Sequence, residues 1–345
     1  MTYDTRKTAE RWDRHTEHFA GRTSGLYWFE VAEVMRGMNQ RISGDPNTDW
    51  VTYTTGKYLN GKLPVERMLS LGCGTGDLER TLSKLNAFRQ CDAYDISPRT
   101  IETARAAARR EGFDHIQYEV MDINEMKLSP HPYDTVWAYG SMHHFVRLEH
   151  IAREVSRALR PGGIFVLNEY VGPARFQFDE RQKEIVNACL QLIPLRYRRV
   201  LDEAVKQERG VVNSSAPSIL NRIRGFFQLA EEPQVEVPQQ EVFRTMVGFP
   251  TSEAVEADDP SESIRSNDIL GTIAEHFDIV EKSLWGGNIL QFLLSGIAGN
   301  FQDDDPSATA LIQLLWKIEE TLLDCDELRS DFAYIVARSK QKDDS

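Results

Sequence analysis

A glycine-rich run carries the clearest sign of ligand binding in this sequence. The apolar segment 68–71 leads directly into residues 72–76, Gly-Cys-Gly-Thr-Gly, and Asp77 follows at the start of a predicted helix. Glycine lets the backbone pass close to a ligand, and a helix N-terminus presents N–H groups without intrahelical partners. A dinucleotide site would need a small residue where Asp77 stands, because a carboxylate there repels a pyrophosphate. The run therefore argues against NAD and FAD and favours a ligand that carries an ammonium group.

Two acids follow the next two predicted strands. Asp95 closes the second strand, 19 residues after Gly76, where a carboxylate can accept two hydrogen bonds from ribose hydroxyls. A strand-ending Asp can instead cap a helix, and Ser97 also suits capping, so both interpretations stay open. Asp122 follows the third strand, where an acid can reach an adenine amino group while Ile123 covers the face of the ring.

Three side chains at the ends of strands four and five could handle a proton. His143 and His144 follow the fourth strand and Glu169 ends the fifth, at the carboxyl edge where open α/β sheets bind ligands. A histidine, with an ordinary pKa of about 6.5, can take a proton from a hydroxyl at neutral pH. The alternatives are that a histidine caps or packs the following helix and that Glu169 is a hydrogen-bonding scaffold residue. His15 and His18, in the opening helix, could approach the site as part of a lid or stay on the surface.

The elements that must position these residues are short and alternate in type. Apolar runs alternate with amphipathic stretches from residue 65 to about 172, which predicts a parallel sheet with helices on its faces. The predicted strands are 67–71, 91–95, 116–120, 135–139 and 164–168, and the predicted helices are 77–86, 98–112 and 147–159. A helix at 266–276 and strands at 277–285 and 332–339 would complete an α/β fold.

The composition limits the classes of partner. The 345 residues include 53 acidic and 40 basic ones, a net charge of -13, so electrostatics would repel a polyanion and nucleic acid is a disfavoured substrate. The four cysteines form no Cys-x-x-Cys pair and no histidine spacing suggests zinc, so we expect no metal. Reduced thiols, together with the lack of a signal peptide or an apolar run of membrane length, predict a cytoplasmic protein that does not engage a membrane.

These motifs, in this order, resemble the class I S-adenosylmethionine-dependent methyltransferases over residues 65–172. The matching features are the glycine run, Asp95, Asp122, the segment 133–136 and the turn 159–163. The resemblance implies an S-adenosylmethionine cofactor, with its methionyl part on the glycine run, its ribose on Asp95 and its adenine at Asp122. It also implies a Rossmann-like fold whose seven-stranded, mostly parallel sheet has helices on both faces, with residues 63–172 as the cofactor-binding core. The predicted cofactor-binding residues are Leu71, Gly72, Cys73, Gly74, Gly76, Asp95, Ile96, Asp122, Ile123 and Tyr139.

The segments that flank this core lack its alternation. Residues 1–62 have helical apolar spacing and predict a helical cap or lid, and 288–328 predict a helical insertion in the remainder of the core, 266–340. In the insertion 173–265 we interpret 253–262 as an acidic surface loop and 260–266 mainly as a helix cap. Such insertions shape either the pocket for a methyl acceptor or a subunit contact in a homodimer. Their candidate lining residues, for which helix packing is the alternative, are Arg175, Phe176, Phe178, Phe226 and Phe227.

The expected acceptor is a small molecule. Segments 169–177 and 286–301 are similar to those of bacterial methyltransferases that tailor sugars, polysaccharides or secondary metabolites, which implies O-methylation. N-methylation, and a catalytically inactive scaffold that binds a partner, stay open as alternatives. The acidic balance and the absence of an Asn-Pro-Pro-Tyr motif after the fourth strand oppose a nucleic-acid or protein methyltransferase.

Overall fold

One twisted sheet organises the described part of the chain. The structure is a computed structural model and describes residues 5–19, 26–201 and 241–340. The strands are β1 Val65–Leu71, β2 Phe88–Asp95, β3 Ile116–Val120, β4 Tyr133–Tyr139, β5 Leu159–Tyr170, β6 Phe277–Gly286 and β7 Phe332–Ser339. They pair in the order β3-β2-β1-β4-β5-β7-β6. Strands β1 to β5 run parallel to one another, whereas β7 is antiparallel to both of its neighbours. The seven-stranded, mostly parallel α/β sheet that the sequence predicted is therefore confirmed.

The central strands are apolar on both faces because helices cover both sides of the sheet. Met68, Leu69 and Leu71 of β1 and Val136 of β4 are each 1% exposed or less. Burying one such side chain stabilises the fold by about 1.5–3 kcal/mol. The strand order reverses between β1 and β4, and the carboxyl ends of parallel strands diverge at such a point to open a crevice.

The helices begin at residues whose side chains satisfy free backbone N–H groups. Asp49, Ser97 and Asp305 accept hydrogen bonds from the first turns of the helices that begin at Trp50, Pro98 and Pro306, a contact worth about 1 kcal/mol each. The helices are α1 Thr5–Phe19, α2 Ala32–Ser43, α3 Trp50–Tyr58, α4 Asp77–Lys84, α5 Pro98–Glu111, α6 Leu148–Ala158, α7 Glu180–Leu192, α8 Ser252–Asp258, α9 Ile269–His276, α10 Leu290–Leu294 and α11 Pro306–Asp324. None of the described helices combines the length and apolarity needed to cross a bilayer.

The N-terminal helices pack onto the core through buried polar contacts. The hydroxyl oxygens of Thr16 in α1 and Thr100 in α5 lie 2.7 Å apart, and Asp13 accepts a hydrogen bond from Ser97 at 2.6 Å. On another part of the sheet, the hydroxyl oxygens of Thr54 in α3 and Tyr334 in β7 lie 2.7 Å apart. The described residues before β1 are largely helical, and α1 is held beside the end of β2.

Two sequence-based boundaries need correction. The segment 253–262, interpreted as a surface loop, begins within α8, because Thr251 caps that helix through Ala254 N–H and an acid in the first turn suits the helix dipole. Strand β5 starts at Leu159 rather than at 164, since Leu159 already pairs with Tyr133 before a register shift. Phe226 and Phe227 lie outside the described residues.

Candidate functional site

The glycine run forms a turn that only glycine fits easily. Gly72, Gly74 and Gly76 have φ angles of 67°, 54° and 81°, a region that other L-residues seldom adopt. A Cβ atom on Gly72 would lie 2.4 Å from Cβ of Ser141, whereas one on Gly74 would meet nothing within 4 Å. The space beside Gly74 is where the backbone can approach a ligand.

The turn opens onto a cavity of about 270 Å³ at the crevice between β1 and β4. Its lining includes eight of the ten predicted cofactor-binding residues, namely Gly72, Cys73, Gly74, Asp95, Ile96, Asp122, Ile123 and Tyr139. The other two do not line it: Leu71 is fully buried in β1, and Gly76 lies behind the turn, where a Cβ would be 2.4 Å from the Tyr118 hydroxyl. Their role in cofactor binding stays a prediction.

Asp95 joins the glycine turn to the following helix. Its Oδ2 accepts a hydrogen bond from Gly74 N–H at 3.0 Å, and its Oδ1 accepts one from Ser97 N–H at 2.9 Å. Burial raises the pKa of Asp95 above its ordinary value, and these N–H donors offset part of that rise. Ser97, rather than Asp95, caps α5, so the capping alternative for Asp95 fails and its oxygens stand at the cavity wall.

Asp122 lies across the cavity, at the end of β3. Its Oδ1 accepts from Asn124 N–H at 2.9 Å, and its Oδ2 accepts from the Thr5 hydroxyl of α1 at 3.0 Å. Helix α1 also contributes Thr8 and Trp12 to the cavity lining. This covering helix is the part of the site that sequence reasoning described least: it pointed to His15 and His18, whose side chains lie outside the described residues, and missed Trp12.

Glu169 orients His143 through a hydrogen bond. This carboxylate is fully buried; its Oε1 accepts the N–H groups of Ser141 and Met142 at 2.7 and 2.8 Å, and its Oε2 lies 3.0 Å from Nδ1 of His143. Since a carboxylate only accepts, Nδ1 donates and Nε2 is the acceptor nitrogen of the neutral ring. Glu262 Oε1 lies 3.7 Å from that Nε2. These contacts favour the scaffold interpretation of Glu169 over its use as the base.

The surroundings of His143 favour its charged form. Burial lowers the pKa of His143, but the hydrogen bond and negative charge of Glu169 raise it by more, and Glu262 and Asp259 raise it further. The net pKa therefore lies above the ordinary value of 6.5. The neighbouring carboxylates therefore stabilise the imidazolium that forms when His143 takes up a proton.

His144 lines the cavity, and its contacts are with residues other than Glu169. Its Nδ1 lies 3.0 Å from the Ser261 hydroxyl, which in turn donates to Asp259 at 2.6 Å, and its ring meets Trp12 edge-on with centroids 5.0 Å apart. The sequence interpretation of 260–266 as mainly a cap missed this contact, because nothing local in that segment signals a neighbour 117 residues away.

The proposed lining residues of the insertion mostly pack against protein. Arg175 is buried, with its guanidinium bound to carbonyl oxygens of residues 259–262. Phe176 and Phe178 meet Phe292 edge to face, at centroid distances of 5.6 and 4.9 Å. The packing alternative is favoured for these residues.

The histidine pair also forms part of a possible ligand set for a metal. His143, His144 and Glu262 each offer one ligand atom within 4.8 Å of the others, and two imidazoles with a carboxylate suit a divalent transition metal. Atoms bound to one such ion at about 2.1 Å lie roughly 3 to 3.5 Å apart, so these three would have to draw together. We assign no metal to them.

Comparisons with known proteins match the part of the chain that carries this cavity. Residues 69–167 match the family described as "Methyltransferase domain". The 27-O-demethylrifamycin SV methyltransferase of Amycolatopsis mediterranei is 30% identical over 155 residues, 42% of this chain and 57% of that protein. The sterol 24-C-methyltransferase of Candida albicans is 26% identical over 147 residues, 41% of this chain and 38% of that protein. The chain thus spans less than two thirds of the length of either relative.

Likeness to solved structures extends over more of the chain but is weaker. A structure of geranyl diphosphate methyltransferase with GPP and sinefungin is 12% identical, with a TM-score of 0.49 over 97% of this chain and 98% of that one. Residues 69–167 form a methyltransferase domain of the type that depends on S-adenosylmethionine.

Proposed function

We propose that this protein transfers a methyl group from S-adenosylmethionine to a hydroxyl oxygen of a small-molecule acceptor. One observation carries the proposal: a single cavity has the glycine turn, Asp95 and Asp122 on its walls, and His144 on the same lining with His143 directly beside it. The methionyl part of the cofactor would lie on the glycine turn, its ribose on Asp95 and its adenine between Asp122 and Ile123. The sulfonium methyl would then face the histidines.

The reaction needs little beyond alignment and removal of one proton. When bound, S-adenosylmethionine would supply an activated methyl carbon: the acceptor oxygen would displace the sulfur from that carbon, with S-adenosylhomocysteine as the neutral thioether product. The hydroxyl proton passes to Nε2 of His143, whose Nδ1–H is held by Glu169 at 3.0 Å. A positioned base contributes about 10²- to 10⁴-fold to such a step, and alignment of the reacting atoms contributes further.

The group opposite His143 supports an acceptor with adjacent hydroxyls. Glu262 Oε1 lies 3.7 Å from Nε2 of His143, so a ligand that contacts both atoms from one side would donate a hydrogen to each. A vicinal diol, as in a sugar or a polyhydroxylated secondary metabolite, does this, because one hydroxyl is methylated while its neighbour donates to Glu262. An O-methyl transfer is also named for the rifamycin relative, whereas the sterol relative is named for C-methyl transfer.

Calorimetry and a product screen test the proposal. We expect S-adenosylmethionine and S-adenosylhomocysteine to bind, and labelled methyl to pass to a polyol from a metabolite pool, with the product identified by mass spectrometry. His143→Gln should abolish most of the transfer and leave cofactor binding unchanged. His150→Gln is the matched control, since Nε2 of His150 contacts Met126 O outside the cavity. No cofactor binding would end the proposal, and a product methylated on nitrogen would correct it.

A further inference from the structure

Arg175 occupies a strained position close to the histidines. It and Phe176 have φ angles of 54° and 56°, and this region is unfavourable for two successive non-glycine residues. Such a conformation persists only where surrounding contacts hold it. Here Arg175 N–H donates to Ser263 O at 2.9 Å, and its guanidinium is buried.

The guanidinium binds the backbone of one short loop, residues 259–263, which we call the clamp loop. It donates to the carbonyl oxygens of Pro260 and Glu262 at 2.7 Å each and to that of Asp259 at 3.4 Å. The planar fork of arginine can reach several acceptors at once, which a lysine ammonium cannot match in geometry. Arg175 thereby binds three of the five carbonyl groups of the loop through its side chain.

The clamp loop in turn determines how His144 is protonated. Asp259 Oδ1 accepts from both the N–H and the hydroxyl of Ser261, at 2.8 and 2.6 Å. Because the single hydroxyl hydrogen goes to Asp259, the Ser261 oxygen can only accept from Nδ1–H of His144, 3.0 Å away. The neutral ring is therefore the Nδ1–H tautomer, and Nε2 is its acceptor nitrogen.

We propose that Arg175 is a positioning residue for methyl transfer, which acts through Ser261 and Asp259 to hold His144 in its Nδ1–H tautomer at the cavity wall. The role of this tautomer rests on the proposed function. Nε2 of His144 accepts a hydrogen bond from the substrate hydroxyl and so orients that hydroxyl toward the methyl group. His143 and His144 are then oriented by separate carboxylates, Glu169 from the sheet and Asp259 from the clamp loop.

The test uses the full chain labelled with ¹⁵N-histidine and saturated with S-adenosylhomocysteine. Nitrogen chemical shifts distinguish the two neutral tautomers, and we expect wild type to show the Nδ1–H form at His144. Ser261→Ala and Arg175→Met should each shift His144 toward the Nε2–H form, while the affinity for S-adenosylhomocysteine changes less than about threefold, under 0.7 kcal/mol. With an acceptor in hand, both should lower kcat by about 100-fold, the effect of a displaced reacting group.

Arg244→Met is the matched control. Its guanidinium is also buried and also binds two carbonyl oxygens, those of Leu293 and Ser295, at 3.0 and 2.7 Å. It should leave the tautomer of His144 unchanged. If Arg175→Met does not fold, Ser261→Ala still tests the control of the His144 tautomer, because this variant removes only the hydroxyl that contacts Nδ1. An unchanged His144 tautomer in Ser261→Ala with intact cofactor binding overturns this inference alone, whereas absent cofactor binding in wild type overturns the proposed function.

Discussion

Removal of the Asp95 carboxylate should weaken cofactor binding by an amount that the structure allows us to work out. Each carboxylate oxygen already accepts one backbone N–H, from Gly74 and from Ser97, and each retains lone-pair capacity for one ribose hydroxyl. A hydrogen bond to a charged group contributes about 1.5 kcal/mol at the lower end. Two such bonds give about 3 kcal/mol, or about 100-fold in Kd. Asp95→Ala should therefore bind S-adenosylhomocysteine about 100-fold more weakly, and Asp95→Asn, which keeps one acceptor oxygen, about tenfold.

Isothermal calorimetry at neutral pH measures both variants directly, and thermal unfolding shows how much stability each has lost with its backbone contacts. Asp92→Asn is the control, because Asp92 belongs to the same strand yet pairs with Arg67 and Tyr133 and does not line the cavity. An Asp95→Ala protein that is folded and binds within threefold of wild type would refute the assignment of the ribose to this residue.

Four further outcomes follow from the same contacts. The transfer rate should fall as the pH drops through the raised pKa of His143. Glu169→Gln should lower that pKa and move the acid limb of the pH–rate profile to lower pH, because the substitution removes the charge that stabilises the imidazolium. Burial raises the pKa of Glu79 to about 7 from 4.5, so between these pH values the folded protein keeps a proton that the unfolded chain has lost. The free energy of unfolding should therefore decline by about 3 kcal/mol as the pH rises from about 4.5 to 7. Glu79→Gln should remove this decline, as measured by urea unfolding. Trp12→Ala should speed the dissociation of S-adenosylhomocysteine about tenfold in stopped-flow experiments, because the indole ring no longer covers the cavity. A tenfold change corresponds to about 1.4 kcal/mol of binding free energy. Gly74→Ala should fold with a cost of about 1–2 kcal/mol from its φ angle but lose cofactor binding in calorimetry, because the added methyl occupies the approach to the ligand.

The core of the site could be predicted from sequence because its signals are local. The glycine run, Asp95 and Asp122 each stand at the carboxyl end of a short apolar strand, and parallel strands bring those ends to one edge of a sheet. Their places along the chain therefore imply their proximity in space. The structure confirms the sheet and places eight of the ten predicted binding residues on the cavity wall.

The outer parts of the site could not be predicted in this way, because their contacts join distant segments. Trp12 meets His144 across 132 residues of chain, and Arg175 meets the clamp loop across more than 80. An acidic segment such as 253–262 has the composition of a solvated loop whether or not a histidine lies beside it. Only the contacts of this loop with Arg175 and His144 decide that Asp259 and Ser261 are buried.

What the sequence alone determined is the sheet and the glycine turn, since strand periodicity and a turn that requires glycine are properties of consecutive residues. What the tertiary structure decided is the proton chemistry. The tautomers of His143 and His144 depend on Glu169 and on Ser261 with Asp259, and a hydrogen bond between remote residues exists only once the chain has folded.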